Sequence, residues 1–537
     1  MTRVGVHARY ETSFKGVLAY PNPVQDVQVA LEFASNGQTR TVEAFWDGGQ
    51  TWRARFSPDM CGHWTWRSRC SLPEDSGLHG RRGEFECTEL PTSNPFLRHG
   101  PLRVSASRHH LIHADGEPFF WLGDTAWNGP LKSDEQDWAG YLSDRAAKGF
   151  NVIQFIATHW IGATGDAEGR AAYQGGDKIR IEPAFFQRMD RRVDMINKSG
   201  MIAAPVLAWD AAWNTESTHL NPGNTLSEAQ LTLLIRYLVS RYGAHQVVWI
   251  LAGDGIYADD EAERWRRIGR AALNRTRNLA TMHPAGKLWA APEFRHEPWF
   301  NLNGYQSGHW NDDDNARWIN EGPPNKDWAT QPACPHINLE PCYEDHIAFT
   351  SGRAIDAHDV RRACYWSLLA SPPAGITYGA HGVWSWETSA AIPLNHPHSG
   401  IAKPWHEAMH LPGSRCMAHL KAIFSSLDWW RLYPCPDLLR HQPGFESPAR
   451  FISAACSKTH ELAMIYSPEG GSVELNASLL KHDVGVQCFN PENGALLWQH
   501  PLRASHNKIE TGGPGDRLLI LRSATERAAQ TGNDDEN

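Results

Sequence analysis

Between about residue 94 and residue 428, short apolar runs alternate with helical patterns, and no other feature constrains the fold as tightly. The runs are Pro118–Gly123, Asn151–Ala157, Met201–Trp209, Val247–Gly253, Leu288–Pro292, Leu302–Gln306, His336–Leu339 and Ala374–Gly379, eight in all. Each has the length and apolar density of a buried strand. Segments such as Asp134–Lys148, Phe185–Lys198, Ser227–Arg241, Asp260–Arg277 and Ala357–Ala370 lie between them. In Ser133–Lys148, Ser133 reads as the N-cap with Gln136 three residues on, Trp138, Tyr141, Leu142 and Ala146 fall at helical spacing, and Gly149 stops the helix. Eight such strands over about 335 residues predict an α/β fold, a central (β/α)8 barrel. A doubly wound sheet would need a Gly-rich phosphate turn after its first strand. The chain offers Leu122-Gly123-Asp124-Thr125-Ala126-Trp127 there, so the barrel is preferred.

The flanks differ from this pattern. Residues 1–93 read as a small β-sandwich: Val27–Phe33 alternates with period two, Asn36-Gly37 is a hairpin turn, and Thr51–Phe56 and Gly62–Arg67 alternate again. Pro91–Pro95 marks the boundary to the barrel at 94–428. Residues 429–523 return to short strands, at Phe451–Cys456, Glu461–Ser467, Ser472–Leu475, Val484–Phe489 and Arg517–Leu521, and predict a second small β domain. Residues 524–537 are polar and read as a flexible tail.

Several partner classes are disfavoured at once. Lys and Arg number 51 against 60 Asp and Glu, a net charge of −9, so neither nucleic acid nor an anionic membrane is expected as partner. The longest apolar stretch, Met201–Trp209, is nine residues, whereas a spanning helix needs about 20. Residues 1–10 hold no apolar leader core, which predicts a cytoplasmic protein unless a leader has been removed. Ten scattered cysteines with no C-x-x-C pair predict free, mostly buried thiols. The 24 Trp and 27 His stand out, and Trp faces suit either a large core or the C–H faces of sugars.

In such a barrel the functional groups gather on the loops that follow the strands. After the first run come Asp124 and Trp127; after the second, His159 and Trp160; after the third, Asp210 and Trp213. The fourth leads to Gly253-Asp254, the fifth to Glu293, and the sixth to Gln306, Ser307 and His309. The seventh gives Glu340-Pro341-Cys342-Tyr343-Glu344, and the eighth leads to His381, Trp384 and Trp386. This inventory suits glycosidic bond cleavage, which needs one protonated carboxyl for the leaving oxygen and one ionised carboxyl facing the oxocarbenium-like centre. Strands four and seven face each other across a barrel mouth, so Asp254 and Glu340 can flank one bond. Gly253 permits close backbone approach, and Pro341 fixes the turn after Glu340. Structural readings stand beside these. Glu344 can cap or orient, Asp210 and Glu293 can brace loops, and Trp384 and Trp386 can be core. His396-Pro397-His398 is an H-x-H pair beyond the eighth run, and no H-E-x-x-H or zinc-type cysteine spacing occurs, so no metal and no cofactor are expected. Neither a P-loop nor a G-x-S-x-G elbow is present.

The motifs in combination resemble those of the apiosidase-like glycoside hydrolases, a bacterial family. Phe119–Trp127 is similar to the family's opening signature and Lys148–Gln154 to its second strand. Tyr305–His309 and Asn338–Glu344 resemble its later motifs. Phe45–Gly49 and Ser76–Gly80 are similar to an immunoglobulin-like domain that precedes such barrels, and Cys488–Gly494 to a small C-terminal β domain of the type labelled collagen-binding. The resemblance implies a carbohydrate substrate, Asp254 as general acid/base and Glu340 as nucleophile of a retaining reaction. Related barrels commonly place Glu after strand four, and Asp254, one methylene shorter, must approach its target more closely. Candidates for holding the sugar are Asp124, Trp127, His159, Trp160, Asp210, Glu293, Gln306, His309, Tyr343, Glu344, His381, Trp384 and Trp386. The other readings are a carbohydrate-binding protein on an inactive barrel, a metal-dependent barrel hydrolase, and a lyase using the same carboxylates.

Overall fold

The computed structural model describes residues 1–175, 178–211, 217–480, 483–503 and 506–523; Trp213 and the expected tail 524–537 lie outside the described residues. At its centre are eight parallel strands, buried along their length. They are β1 (Trp121–Thr125), β2 (Val152–Ile156), β3 (Ile202–Trp209), β4 (Trp249–Gly255), β5 (Ala280–Pro284), β6 (Asn303–Gln306), β7 (His336–Glu340) and β8 (Gly375–Tyr378). Their order is 5-4-3-2-1-8-7-6, so the first and eighth strands pair as a closed barrel requires. Among the described residues β5 and β6 lie side by side without a ladder. Side chains stitch that seam. Asn301 Oδ1 accepts from Ala280 N at 2.9 Å, Thr281 Oγ1 from Gly304 N at 2.8 Å, and Gln306 Nε2 donates to Pro284 O at 2.8 Å.

The helices on the outside are α1 (Glu135–Ala147), α2 (Pro183–Lys198), α3 (Glu228–Tyr242), α4 (Asp259–Leu273), α5 (Ala291–Phe294), α6 (Asp313–Glu321), α7 (Ala357–Ala370) and α8 (Pro412–Ser425). The cap of α1 is Asp134, which accepts from Asp137 N, rather than Ser133. Its inward face carries Arg145 rather than Ala146. The helix after β5 is a single turn, and this explains the one misplaced strand. With no long helix to mark its end, Ala280–Pro284 does not stand out in the sequence pattern, which picks out the next apolar run instead. Leu288–Pro292 instead leads into α5, where Trp289 packs on Tyr305 and His336. The first strand also starts later than expected, because Pro118–Phe119 belongs to a separate three-stranded sheet with Leu102–Val104 and Leu111–His113.

The front region forms a five-stranded and a three-stranded sheet. The Asn36-Gly37 turn joins Val29–Ser35 to Gln38–Glu43, with both turn residues at positive φ as a two-residue hairpin needs. Between the sheets, Phe33 stacks on Phe56 at 4.3 Å and Tyr10 on Phe85 at 4.2 Å. This region docks on the barrel through buried charge. Asp190 of α2 accepts from Arg55 at 2.6 Å and from Arg241 of α3 at 2.7 Å, and Arg241 also donates to Asp47 at 2.9 Å. The last region holds a six-stranded sheet that includes Leu496–Leu502, and a two-stranded one pairing Ser472–Glu474 with Lys508–Glu510. Cys435 and Cys456 form a disulfide there, with Cα atoms 5.6 Å apart, against the expectation of free thiols; the other eight cysteines are free.

Candidate active site

Asp254 owes its aim to a bulge. Along β4 and β5, Gly253 lies opposite His283 and Gly255 opposite Pro284, so Asp254 is the extra residue between them. It takes a left-handed backbone conformation, φ +69°, and a bulge of this kind re-aims its side chain. Both flanking glycines are required by close packing. A Cβ on Gly253 would stand 2.6 Å from the Trp209 ring, and one on Gly255 2.5 Å from Tyr257. The side chain of Asp254 accepts from Gln306 Nε2. Burial first, and then the charge of Glu340, pushes its carboxyl well above the ordinary carboxylate range, and the Gln306 bond only partly offsets this.

Glu340 ends β7 on the far side of the mouth. Its Oε1 lies 3.0 Å from His309 Nε2 and its Oε2 3.4 Å from His283 Nε2. Burial pushes this carboxyl up, but the two imidazoles outweigh burial and hold it well below the ordinary range. The surroundings thus favour the proton on Asp254 and the charge on Glu340. That division is the one an acid and a nucleophile require. No arginine or lysine is paired with either carboxyl among the described residues.

A belt of rings continues from Glu340 around the mouth. His309 lies 4.4 Å from Tyr343 and 4.2 Å from His346. His346 adjoins His381, His381 adjoins Trp384, Trp384 adjoins His396, and His396 adjoins Trp160 and then Trp209. Trp127 stands edge-on to His283 at 5.5 Å and to Trp209 at 5.5 Å. Asn395 Nδ2 donates to Ile161 O at 2.7 Å, tying the loop after β8 to the loop after β2. Gln306, His309, Tyr343, Trp127, Trp160, His381 and Trp384 are thus gathered with the carboxylates.

Other expected site residues are placed elsewhere. Asp124 lies within β1, because that strand begins three residues later than expected, and it points outward to α1. There Tyr141 Oη donates to it at 2.5 Å and Arg145 Nε also donates. Glu344 faces the same outer wall, accepting from Tyr378 Oη at 2.6 Å and Gly413 N at 2.9 Å. Trp386 stacks on Trp405 at 4.6 Å and adjoins Trp138. Glu293 sits on the short α5 and pairs with Arg266, so it is not a strand-end residue at all. Asp210 is buried against α4, accepting from Trp265 Nε1 at 3.0 Å, and burial pushes it up to about 7. His159 packs on Tyr173 at 4.7 Å and accepts from Ala172 N, and burial lowers it to about 4.

The residue that sequence reasoning missed is His283. Its signal was Leu279-Ala280-Thr281-Met282-His283-Pro284, a short apolar run closed by His-Pro six residues beyond the predicted end of the preceding helix. His346 and His396 were missed as members of the belt. Among the described residues, three metal-ligating side chains converge only at Cys435, Cys456 and His460, in the last β region, where the two cysteines are joined to each other.

Residues 105–431 match the family described as "Apiosidase-like, catalytic domain", and residues 3–71 match a domain of unknown function, DUF5060. No curated protein matches the chain. Solved structures do. A glycoside hydrolase family 5 protein from Bacteroides vulgatus is 22% identical, with a TM-score of 0.70 over 81% of this chain and 96% of that one. A structure titled glycoside hydrolase is 23% identical, with a TM-score of 0.68 over 81% of this chain and 99% of that one. A second Bacteroides vulgatus protein, 16% identical, covers 97% of this chain and 100% of its own, with a TM-score of 0.68. At these identities the likeness establishes a shared fold.

Proposed function

The chain belongs to the apiosidase-like family of catalytic domains and is a glycosidase, and from that premise we propose that Asp254 and Glu340 cleave the bond with retention of configuration. Glu340 attacks the anomeric carbon while Asp254 protonates the leaving oxygen. Water then enters, giving its proton to Asp254, and the sugar leaves Glu340. The observation that carries this reading is the placing of two buried carboxyls at the ends of strands four and seven, Asp254 against an amide and Glu340 against two imidazoles. Gln306 and His309 set the two acids, and Tyr343 with the tryptophans and histidines of the belt holds the sugar. The tie between the loops after β8 and β2 supports a mouth closed on that side, suited to a terminal sugar of a plant or bacterial glycoside. The front and rear β regions are proposed as an immunoglobulin-like sandwich over 1–93 and a small β-sandwich over 429–523.

The test is a screen of aryl glycosides and oligosaccharides with wild type and Glu340→Gln. The variant is expected to fold and to lose turnover, and proton NMR of the wild-type reaction is expected to show the retained anomer first. Substantial activity in the variant rejects the nucleophile, and an unsaturated product in place of added water identifies a lyase.

A further inference from the structure

The two imidazoles on Glu340 are not equivalent. His309 Nδ1 accepts from the backbone N–H of Tyr343 at 3.3 Å. Its proton is therefore on Nε2, and it is a fixed donor to Oε1. His283 is fully buried, and neither of its ring nitrogens has a well-formed hydrogen bond. Glu340 Oε2, its 3.4 Å neighbour, has none either. Trp127 and Trp209, themselves in contact, both pack against the His283 ring, at 5.5 Å and 6.3 Å. One oxygen of Glu340 is firmly bonded; the other has no well-formed hydrogen bond, with the His283 ring beside it and the Tyr343 hydroxyl also turned toward this carboxyl.

We propose that His283 is a positioning residue for Glu340 Oε2, and that Oε2 is the oxygen that bonds to the sugar and later releases it. This rests on the reading of Glu340 as nucleophile. In the first step a lone pair on Oε2 forms the bond to the anomeric carbon, the glycosidic C–O bond breaks, and Asp254 gives its proton to the leaving oxygen. Oε1 becomes the carbonyl oxygen of the ester and keeps the bond from His309. In the second step water forms the new C–O bond, its proton passes to Asp254, and the Oε2–carbon bond breaks with its electron pair returning to Oε2. Charge disappears from Oε2 in the first step and reappears in the second. A donor aimed at Oε2 lowers the second barrier and does nothing to help the first. His283 is thus there for release of the sugar.

The consequence is a kinetic signature that a packing role would not produce. In the intact chain, His283→Phe keeps a ring against Trp127 and Trp209 with no donor, and His283→Gln returns an N–H near the Nε2 position. With an activated aryl glycoside, His283→Phe is expected to lower kcat roughly 10- to 100-fold. KM should fall with it, a burst of aryl release should appear, and a glycosyl adduct on Glu340 should be found by peptide mass spectrometry. His283→Gln is expected to recover most of kcat and lose the adduct. If His283→Phe does not fold, judged by its thermal midpoint, His283→Asn, too short to reach Oε2, takes its place. An unchanged kcat, a fall in kcat/KM without burst or adduct, or a Gln variant as slow as Phe overturns the proposal. Glu340→Gln separates the two levels. If it is inactive and the His283 variants show no adduct, this inference alone falls; if it is active, the reading beneath it falls.

Discussion

Two regions of this molecule bury carboxylates, and they treat them in opposite ways. Where the front sheets meet the barrel, Asp190 faces Arg55 and Arg241, and Asp47 faces Arg241 and Arg53. Burial works against Asp190, but the two guanidinium groups overcome it and hold its carboxyl well below the ordinary range. At the barrel mouth no arginine or lysine answers either acid among the described residues, and the neighbours include an amide, two imidazoles and the Tyr343 phenol. Matched charge fixes structure, because removing one partner strands the other. Partly unanswered charge leaves a group able to change its protonation during a reaction. Asp124, bonded by Arg145 and Tyr141, belongs with the first kind although it stands on a barrel strand.

The contrast can be broken at several points. The largest effect is expected at the mouth. Asp254→Asn should fold normally and lose about 10²- to 10⁴-fold in turnover of a glycoside with a poor leaving group. An aryl glycoside whose leaving group needs no proton should show a much smaller loss. The raised carboxyl of Asp254 predicts that wild-type activity falls on the alkaline side as that proton is lost, and this limb should vanish in the variant with the activated substrate. Equal losses on both substrates would remove Asp254 from the acid role.

At the interface the outcome should be the reverse. Arg241→Met leaves Asp190 and Asp47 short of a partner and is expected to cost about 3–5 kcal/mol of stability, read as a lowered unfolding midpoint, with kcat near wild type at a temperature where the protein stays folded. A loss of kcat without a loss of stability would erase the distinction between the regions.

Asp210 leaves turnover aside and gives the most diagnostic effect, read only in the pH dependence of stability. Its carboxyl, ordinarily near 3.8, is pushed up to about 7 by burial, with Glu261 adding to the shift. Below pH 3.8 both folded and unfolded states hold the proton. As pH rises toward 7 the unfolded state ionises first, so the folded state loses stability across that window. Asp210→Asn should flatten the fall in unfolding midpoint between about pH 4 and pH 7. A parallel pH dependence in the variant would show that Asp210 is not the buried acid responsible.

The alternation of strand and helix patterns made the barrel readable, because buried parallel strands are apolar throughout and their flanking helices carry a 3.6-residue period. It failed once, at β5, where the following helix shrinks to one turn and removes the marker. That slip put Glu293 at a strand end and hid His283. Asp254 and Glu340 could be singled out because a carboxylate after a buried strand is conspicuous. What a strand-end carboxylate touches is not written nearby. Asp124 is answered by Arg145, 21 positions on, and Glu344 by Gly413, 69 positions on, so the sequence shows them as equals of Glu340. The bulge that aims Asp254 was likewise out of reach, since it depends on the register between two strands.

The unladdered junction between β5 and β6 has a mechanical meaning. Among the described residues, main-chain bonds reach across it only at the two ends, from Asn301 N to Ala280 O and from Lys287 N to Gln306 O, so this border has less to hold it than its laddered neighbours. Gln306 spans it, gripping Pro284 on one stave while holding Asp254 above. A guest wide enough to part these two staves pulls on Gln306 and, through it, on Asp254. On the proposed roles, room for a large leaving group and delivery of the proton are drawn from the same joint.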